Sequence, residues 1–225
     1  MNRYQIRQCT SDTCRLRFPM PEDALPGEQC PKCGARTQLV AESPIHFESI
    51  PEMRPQQEIG FDVLLDNLRS LFNVGSIFRS AEGAGLHHLY LCGITPTPEN
   101  PKLAKTSLGA EGVVGWSQHN NALDLAQRLL GEGRQLWALD VDEHAQSLFA
   151  VEPPDASVVL VVGNEVSGID PDLHALCTRT VCIPMAGMKR SLNVAVAFGI
   201  AAFGLQRGRL EGDTEEGRTG RDPTI

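Results

Sequence analysis

The feature that most constrains the fold is the stretch SVVLVVGN (157–164), whose apolar run is not interrupted by any polar side chain. A strand of this composition is buried on both faces, as central strands of parallel sheets are. Other strand-like runs lie at 61–66, 88–93, 135–140 and 180–185, with a weaker one at 112–117, and helix-like stretches lie at 74–83, 121–131, 171–176 and 191–206. This alternation predicts an α/β sheet with right-handed crossovers.

Composition sets broad limits on the chain. Its 225 residues, 41% hydrophobic and 21% charged, are typical of a soluble globular protein with one medium domain, or one domain and a small appendage. We expect a cytoplasmic protein with no membrane contact, because no apolar stretch is long enough to span a bilayer and MNRYQIRQC lacks a signal-peptide core. The net charge of −8 does not favour nucleic-acid binding, so any basic surface must be local.

Four cysteines near the start form a candidate metal site. Cys9 and Cys14 make a C-x4-C pair, and Cys30 and Cys33 make a C-x2-C pair in CPKCGA. Two such pairs supply the four thiolates of a closed tetrahedral zinc site. Two disulfides are the alternative, which we disfavour because a cytosolic chain keeps its thiols reduced. We expect the other three cysteines to be inert core residues: Cys92, Cys177 and Cys182.

The pattern divides the chain into four parts. Residues 1–40 are predicted to form a zinc ribbon, in which the metal replaces a core that so small a segment cannot build. Residues 41–60, with three prolines and no periodicity, are predicted to be a linker. The α/β domain is expected at 61–207, and a polar, glycine-rich, disordered tail at 208–225.

Three loops are candidates for chemistry, because ligands of open α/β sheets bind at the carboxyl ends of the strands. In the first, Asn73 is expected to cap the following helix, which Gly83 and Gly85 would end. In the second, Gly163 permits close approach of a ligand, and Glu165 follows it. In the third, Ser191 is expected to cap the last helix, whose free N–H groups could receive an anion.

The residues alone leave several interpretations open. Arg79 falls midway along the first helix, where an ordinary surface arginine with a solvated head is one interpretation. Glu165 is either a ligand anchor or an ion-pair partner of an arginine such as Arg79. The sequence lacks G-x-G-x-x-G, G-x-x-x-x-G-K-[ST] and G-x-S-x-G, which argues against a standard dinucleotide site, a P-loop or a nucleophile elbow. These observations do not name a reaction.

The three loops, in this order, resemble the motifs of the SpoU/TrmH family of RNA ribose 2′-O-methyltransferases, within the SPOUT class. The first is NVGSIFRSAEGAG (73–85), the second is VVGNEVSGI (161–169), and the third is IPMAGMKRSLNVAVAFGIA (183–201). KTSLGAEGVVGW (105–116) also looks like the family's middle segment. The resemblance covers roughly residues 61–206.

The resemblance implies a SPOUT-type parallel sheet with a C-terminal trefoil knot, an exception to the rule that chains are unknotted. It also implies S-adenosylmethionine as cofactor, bound at Gly163, Ile183, Met185, Gly187 and Leu192. The small residues of 195–202 would then let the last helix pack inside the knot and against a second subunit. A merely buried helix is the alternative.

The resemblance assigns catalytic roles to Asn73, Arg79, Glu165, Ser191 and Asn193. Family mechanisms make the arginine the group that activates the ribose hydroxyl. A guanidinium stays protonated at neutral pH, so we expect Arg79 to clamp a phosphate and stabilise the developing alkoxide instead. In related homodimers the arginine and the cofactor can come from different subunits.

The expected partner is tRNA or rRNA, and the expected assembly is a homodimer. Basic residues of the ribbon, with Lys102, Lys105 and Lys189, could form a local basic path for RNA, although the net charge of the chain is negative. The ribbon alternatively stabilises the dimer or binds a protein. Two other functions stay open: methylation of another RNA atom, and RNA binding by a ribbon on an inactive knot.

Overall fold

The computed structural model describes residues 4–21, 28–42, 61–155, 157–188 and 191–216. The chain divides into two compact units, residues 1–55 and 56–225. Most of the predicted linker (43–60), the end of the predicted tail (217–225), Arg3 and Lys189 lie outside the described residues. Within the described part of the chain, no helix is both long and apolar enough to cross a bilayer.

The first unit is a three-stranded antiparallel sheet of order β2-β1-β3. Its strands are β1 (Tyr4–Cys9), β2 (Arg17–Pro21) and β3 (Thr37–Glu42), so the sheet continues two residues past the predicted limit of the ribbon at 40. The second cysteine pair lies in a tight turn in which Gly34 N–H donates to the Cys30 carbonyl at 2.9 Å. Gly34 has a φ of +74°, a conformation that favours glycine.

The second unit contains a seven-stranded parallel sheet of order β6-β5-β4-β9-β7-β10-β8. Its strands are β4 (Asp62–Asp66), β5 (His88–Cys92), β6 (Gly115–His119), β7 (Gln135–Leu139), β8 (Gln146–Ser147), β9 (Val158–Val162) and β10 (Arg179–Cys182). The predicted α/β class is therefore confirmed. All five residues of β9 are buried, as its apolar run predicted. The weak strand begins at 115 instead of 112, because a 3₁₀ turn occupies Ala110–Gly112.

The helices are α1 (Leu71–Gly83), α2 (Ala104–Ser107), α3 (Ala122–Gly131), α4 (Pro171–Ala175) and α5 (Val194–Glu216). Two predicted caps are wrong. The Ser70 hydroxyl caps α1 by accepting from Asn73 N–H, which places Asn73 inside the first turn. At α5 the cap is Asn193, whose Oδ1 accepts from Ala195 N–H at 2.9 Å, and not Ser191. The predicted end of α1 is confirmed, since the helix ends at Gly83 and Gly85 has a φ of +71°.

The last helix is longer than predicted. It continues to Glu216, so the prediction of disorder from 208 is wrong for residues 208–216. Leu205 and Gln206 are buried, and Arg207 Nη2 donates to the Val151 carbonyl at 2.8 Å. Once a helix is anchored in this way, each added residue gains a hydrogen bond without a new nucleation cost.

The core has two parts, one on each face of the sheet. Side chains of α1 and α5 share one cluster with Val63, Leu65 and Leu160, and α3 and α4 share the other with Val159 and Val161. The strands are thus sandwiched between two helical layers. Because all paired strands are parallel, their carboxyl ends lie at one edge, where loops from several strands meet.

Two glycines of α1 provide a matched test of helix packing. A Cβ at Gly75 would lie 2.7 Å from Thr106 Cβ and 3.2 Å from the Leu103 carbonyl oxygen, whereas one at Gly83 would meet only the ring edge of Phe203 at 3.4 Å. Both substitutions to alanine favour the helix intrinsically. We predict that Gly75→Ala lowers the free energy of unfolding by about 1–3 kcal/mol, because α1 and α2 must separate.

Gly83→Ala is the control and should be neutral or slightly stabilising. Urea unfolding followed by tryptophan fluorescence reports on the second unit, which holds both tryptophans, Trp116 and Trp137. Equal stabilities of the two variants would contradict close α1–α2 packing at Gly75.

Candidate active site and metal centre

A cavity of about 730 Å³ lies at the carboxyl ends of β9, β7 and β10. This volume falls in the range of small-molecule pockets. Eight of the ten residues predicted for catalysis or cofactor binding line it: Asn73, Gly163, Glu165, Ile183, Met185, Ser191, Leu192 and Asn193. Arg79 and Gly187 are not among the lining residues. The structure thus brings together residues that are up to 120 positions apart in the chain.

Glu165 joins the loop after β9 to the start of α1. Its Oε2 accepts from Arg69 N–H at 2.9 Å, and its Oε1 accepts from Ser70 N–H at 3.0 Å and from Asn73 Nδ2 at 3.0 Å. A carboxylate is favoured at a helix N-terminus, where backbone N–H groups are unpaired. Partial burial raises the pKa of Glu165, but these hydrogen bonds outweigh it and hold the pKa below its ordinary value. The considered ion pair with Arg79 is not formed.

Asn73 and Asn193 connect α1 to α5 through their side chains. Asn193 Nδ2 donates to Asn73 Oδ1 at 3.1 Å, while Asn193 Oδ1 caps α5. Asn73 in turn donates to Glu165. Since each amide has two N–H donors, one donor on each residue has no partner among the described residues. Two fixed donors are therefore available beside the cavity.

The loop after β9 is closed by its own backbone. Asn164 and Gly168 exchange a pair of backbone hydrogen bonds, and Asn164 Nδ2 donates to the Asn67 carbonyl at 2.6 Å. A Cβ at Gly163 would fall on the backbone of Gly168 and Ile169. Gly163 is therefore required first for the shape of the loop, and substituting it would distort the cavity before it blocked any ligand.

The loop after β10 is open to solvent. Met185 and Gly187 are exposed, and so are Ser191 and Leu192. Among the described residues, nothing lies within 4 Å of a Cβ built on Gly187, so their packing does not require glycine there. Ser191, without its expected capping role, is free to contact a ligand at the cavity mouth.

Arg79 lies on the exposed surface of α1, away from the lining of the cavity. Its guanidinium has no hydrogen-bond or ion-pair partner among the residues described. The structure of one chain therefore contains the polar cluster and the cavity, but it does not bring Arg79 to them.

The lining residues that sequence reasoning missed include Arg69, Ser70, Asp140 and Cys182. Asp140 and the neighbouring Val141 directly follow β7, so their position at the end of the strand predicted at 135–140 was the available signal. Ser70 and Asn73 are both good capping residues three positions apart, and the sequence pattern did not discriminate between them. Cys182 lies at the cavity and not in the core, whereas burial raises the pKa of both Cys92 and Cys177 to about 12, as expected for inert thiols.

The four predicted metal ligands converge in the first unit. The Sγ atoms of Cys9, Cys14, Cys30 and Cys33 all lie within 4.8 Å of one another. The Cys9–Cys33 and Cys14–Cys30 pairs are separated by 3.5 and 3.8 Å, close to the ~3.8 Å between ligands of a tetrahedral zinc–thiolate site and far beyond a disulfide bond. Ser11 N–H and Lys32 N–H donate to Cys9 and Cys30 sulfur, as they would to thiolates. The cluster is compatible with structural zinc, and all four cysteines are free.

Known proteins resemble the second unit. The chain is 27% identical over 167 residues to the tRNA (guanosine(18)-2′-O)-methyltransferase of Escherichia coli strain K12, which covers 74% of this chain and 72% of that protein. It is 31% identical over 169 residues to the enzyme of the same name from Aquifex aeolicus, covering 73% and 77%.

Solved structures agree with these relatives. The AdoMet-bound rRNA methyltransferase from Sinorhizobium meliloti superposes with a TM-score of 0.62 at 28% identity, over 69% of this chain and 59% of that one. The model of the SpoU rRNA Methylase family matches residues 60–203, which include all three loops around the cavity. The chain belongs to the SpoU rRNA Methylase family.

Proposed function

We propose that this protein transfers a methyl group from S-adenosylmethionine to the ribose 2′-OH of a tRNA or rRNA nucleotide. The observation that carries the proposal is the single cavity that joins apolar residues (Ile183, Met185, Leu192) to an amide–carboxylate–hydroxyl cluster. Relatives at 27–31% identity are named as tRNA 2′-O-methyltransferases, and a neighbour at 28% identity was solved with this cofactor. An inactive module is not favoured, because all five expected catalytic residues are present in the sequence.

The cavity supports this chemistry through fixed hydrogen-bond donors. When bound, the cofactor supplies an electrophilic methyl group on a sulfonium. The remaining N–H groups of Asn73 and Asn193 would then orient the ribose hydroxyl and stabilise its oxygen as the proton leaves. Glu165 keeps both amides in place, because it fixes Asn73, which in turn accepts from Asn193. Ser191 would contact the same nucleotide from the cavity mouth.

A homodimer would bring Arg79 to a cavity. On α1 and α5, which pack against each other, Phe72, Val196 and Phe203 are 71%, 51% and 45% exposed. Apolar side chains grouped on one helical layer favour coverage by a second subunit. Arg79 on this layer would then reach the partner's cavity and pair with a phosphate or the developing alkoxide.

We also propose the trefoil knot that the family resemblance implies and a cytoplasmic location.

The ribbon is proposed to hold zinc and to contact RNA. The first 40 residues hold six of the chain's 20 Lys and Arg but only four of its 28 Asp and Glu. Arg15, Arg17, Lys32 and Arg36 are all exposed near the cysteine cluster. In the second unit, Lys102 just before α2 and Lys105 within it are also exposed and are proposed to contact the phosphate backbone.

We predict that Arg79→Ala lowers turnover about 10²–10³-fold and leaves cofactor affinity nearly unchanged, because the charge is needed where the hydroxyl loses its proton. Arg79→Lys should not restore activity, because a point charge does not reproduce the planar fork of a guanidinium. The measurement is 2′-O-methylnucleosides in digested RNA by mass spectrometry, with calorimetry for the cofactor.

Arg128→Ala is the matched control, since Arg128 is also an exposed helical arginine and pairs only with Glu132 in the described structure. Full activity of Arg79→Ala would reject the assigned motif. A methyl group found on a base instead of the ribose would reject the reaction while retaining the fold.

Mixed dimers test the subunit arrangement. We predict that Arg79→Ala chains and Asn193→Ala chains, each inactive alone, recover activity when combined, because one of the two cavities then has an intact Asn193 and receives an intact arginine from the partner. Differently tagged chains allow purification of the mixed dimer. Inactivity of purified mixed dimers would place Arg79 and the cavity that it serves on one chain.

We predict about one zinc ion per chain, measured by elemental mass spectrometry. Cys30→Ser should lose the metal and the hydrogen-exchange protection of β1–β3, because so small a unit depends on its metal, and should leave cofactor binding largely intact. Cys177→Ser, which removes a thiol of the second unit, should retain the zinc. A metal-free protein with protected β1–β3 amides would contradict the site.

A further inference from the structure

We propose that Asp140 is the residue that holds the ribose hydroxyls of the cofactor's nucleoside, and so sets the specificity of the cavity for a ribonucleoside. This inference rests on the proposed function. It concerns a residue that lies outside the three family-like loops.

The position of Asp140 is fixed by hydrogen bonds on both sides. It directly follows β7, and its N–H donates to the Val181 carbonyl of β10 at 3.1 Å. Its Oδ1 accepts from Val141 N–H at 2.7 Å, which holds the plane of the carboxylate. The side chain is half-buried and lines the cavity. Asp140 is thus a rigid group in the wall.

The second oxygen of Asp140 is available to a ligand. Oδ2 faces the glycine loop after β9, at 3.7 Å from the place where a Cβ on Gly168 would lie. No described residue donates a hydrogen bond to it. The other carboxylate of the lining, Glu165, already accepts hydrogen bonds from the start of α1 on both of its oxygens. Asp140 is therefore the carboxylate acceptor that the polar cluster does not use.

The surroundings of Asp140 suit a nucleoside. Leu139, Ile183 and Leu192 line the same cavity and would pack against a planar base. Ribose hydroxyls need acceptors close to that base, and a carboxylate at the end of a parallel strand accepts from them in other α/β folds. The missing Cβ at Gly168 leaves room for the sugar to approach Oδ2. An ammonium group could also bind a carboxylate, and the experiment separates the two.

The experiment is calorimetry on the full chain with three ligands: S-adenosylhomocysteine, its 2′,3′-dideoxy analogue, and methylthioadenosine, which lacks the amino-acid part. The natural protein should bind the dideoxy analogue about 10- to 100-fold more weakly than S-adenosylhomocysteine, as expected for hydrogen bonds to a charged acceptor. The Asp140→Ala variant should bind S-adenosylhomocysteine more weakly by a similar factor, and it should bind S-adenosylhomocysteine and the dideoxy analogue nearly equally. Its affinity for methylthioadenosine should fall as well.

Asp142→Ala is the matched control, because Asp142 lies in the same loop but outside the cavity lining. Its Oδ1 accepts a hydrogen bond from His144 N–H, and its Oδ2 lies 3.5 Å from His174 Nε2. It should bind all three ligands as the natural protein does. Asp140→Asn keeps an acceptor for Val141 N–H and replaces Asp140→Ala if that variant does not fold. It should lose most of the preference for the hydroxyls.

Four results would overturn the inference. If the Asp140 variants prefer S-adenosylhomocysteine over its dideoxy analogue as strongly as the natural protein does, Asp140 does not bind the ribose hydroxyls. Loss of S-adenosylhomocysteine binding with unchanged methylthioadenosine binding would assign Asp140 to the ammonium group. Failure of the natural protein to bind S-adenosylhomocysteine would overturn the proposed function as well, whereas binding without any preference for the hydroxyls would overturn this inference alone.

Discussion

The arrangement of the cavity depends on the carboxylate of Glu165. It receives three hydrogen bonds from the start of α1, a segment more than 90 positions earlier in the chain. This contact fixes the distance between the loop after β9 and the first turn of α1, and through Asn73 it extends to the cap of α5 at Asn193. One negative charge thus sets the geometry of three elements. The N–H donors favour its ionised form and hold its pKa below the ordinary value.

The parallel sheet makes that contact possible. Neighbouring β4 and β9 end at the same edge, so the residues that follow them must meet there. The loops hold their shape by backbone hydrogen bonds and close glycine packing, as at Gly163, and not by large side chains. A cavity built in this way has few charged side chains, and its polar groups have different roles. Glu165 holds the start of α1, Asp140 is the acceptor proposed for the cofactor, and the amides of Asn73 and Asn193 are the donors proposed for the ribose hydroxyl.

Much of this arrangement follows from the sequence, and the exceptions have physical causes. The strands could be predicted because burial on both faces requires the continuous apolar runs of β4 and β9. The caps could not, because Ser70 and Asn73, like Ser191 and Asn193, are capping types a few positions apart, and only tertiary contacts choose between them. The helical residues 208–216 were missed because their polar, glycine-rich composition hides the anchoring of α5 at Leu205. Asp140 was missed because its place in the cavity wall depends on residues such as Gly168, which are close to it in space but not in sequence.

The charges around the cavity have two different roles: the cations attract the RNA, and a carboxylate helps to place the cofactor. The lining holds two carboxylates, Glu165 and Asp140, and one cation, Arg69, so its formal charge is negative, which disfavours a phosphate backbone. Arg69 is an exposed cation of the lining itself, at the start of α1, whereas Arg79 lies on the exposed surface of α1 away from the lining. RNA attracted by these cations would approach from the side of α1, while Asp140 faces the proposed nucleoside of the cofactor. Neutralising Arg79 should therefore weaken the salt dependence of RNA binding, whereas neutralising Asp140 should leave that dependence unchanged, because only the first charge faces the polyanion.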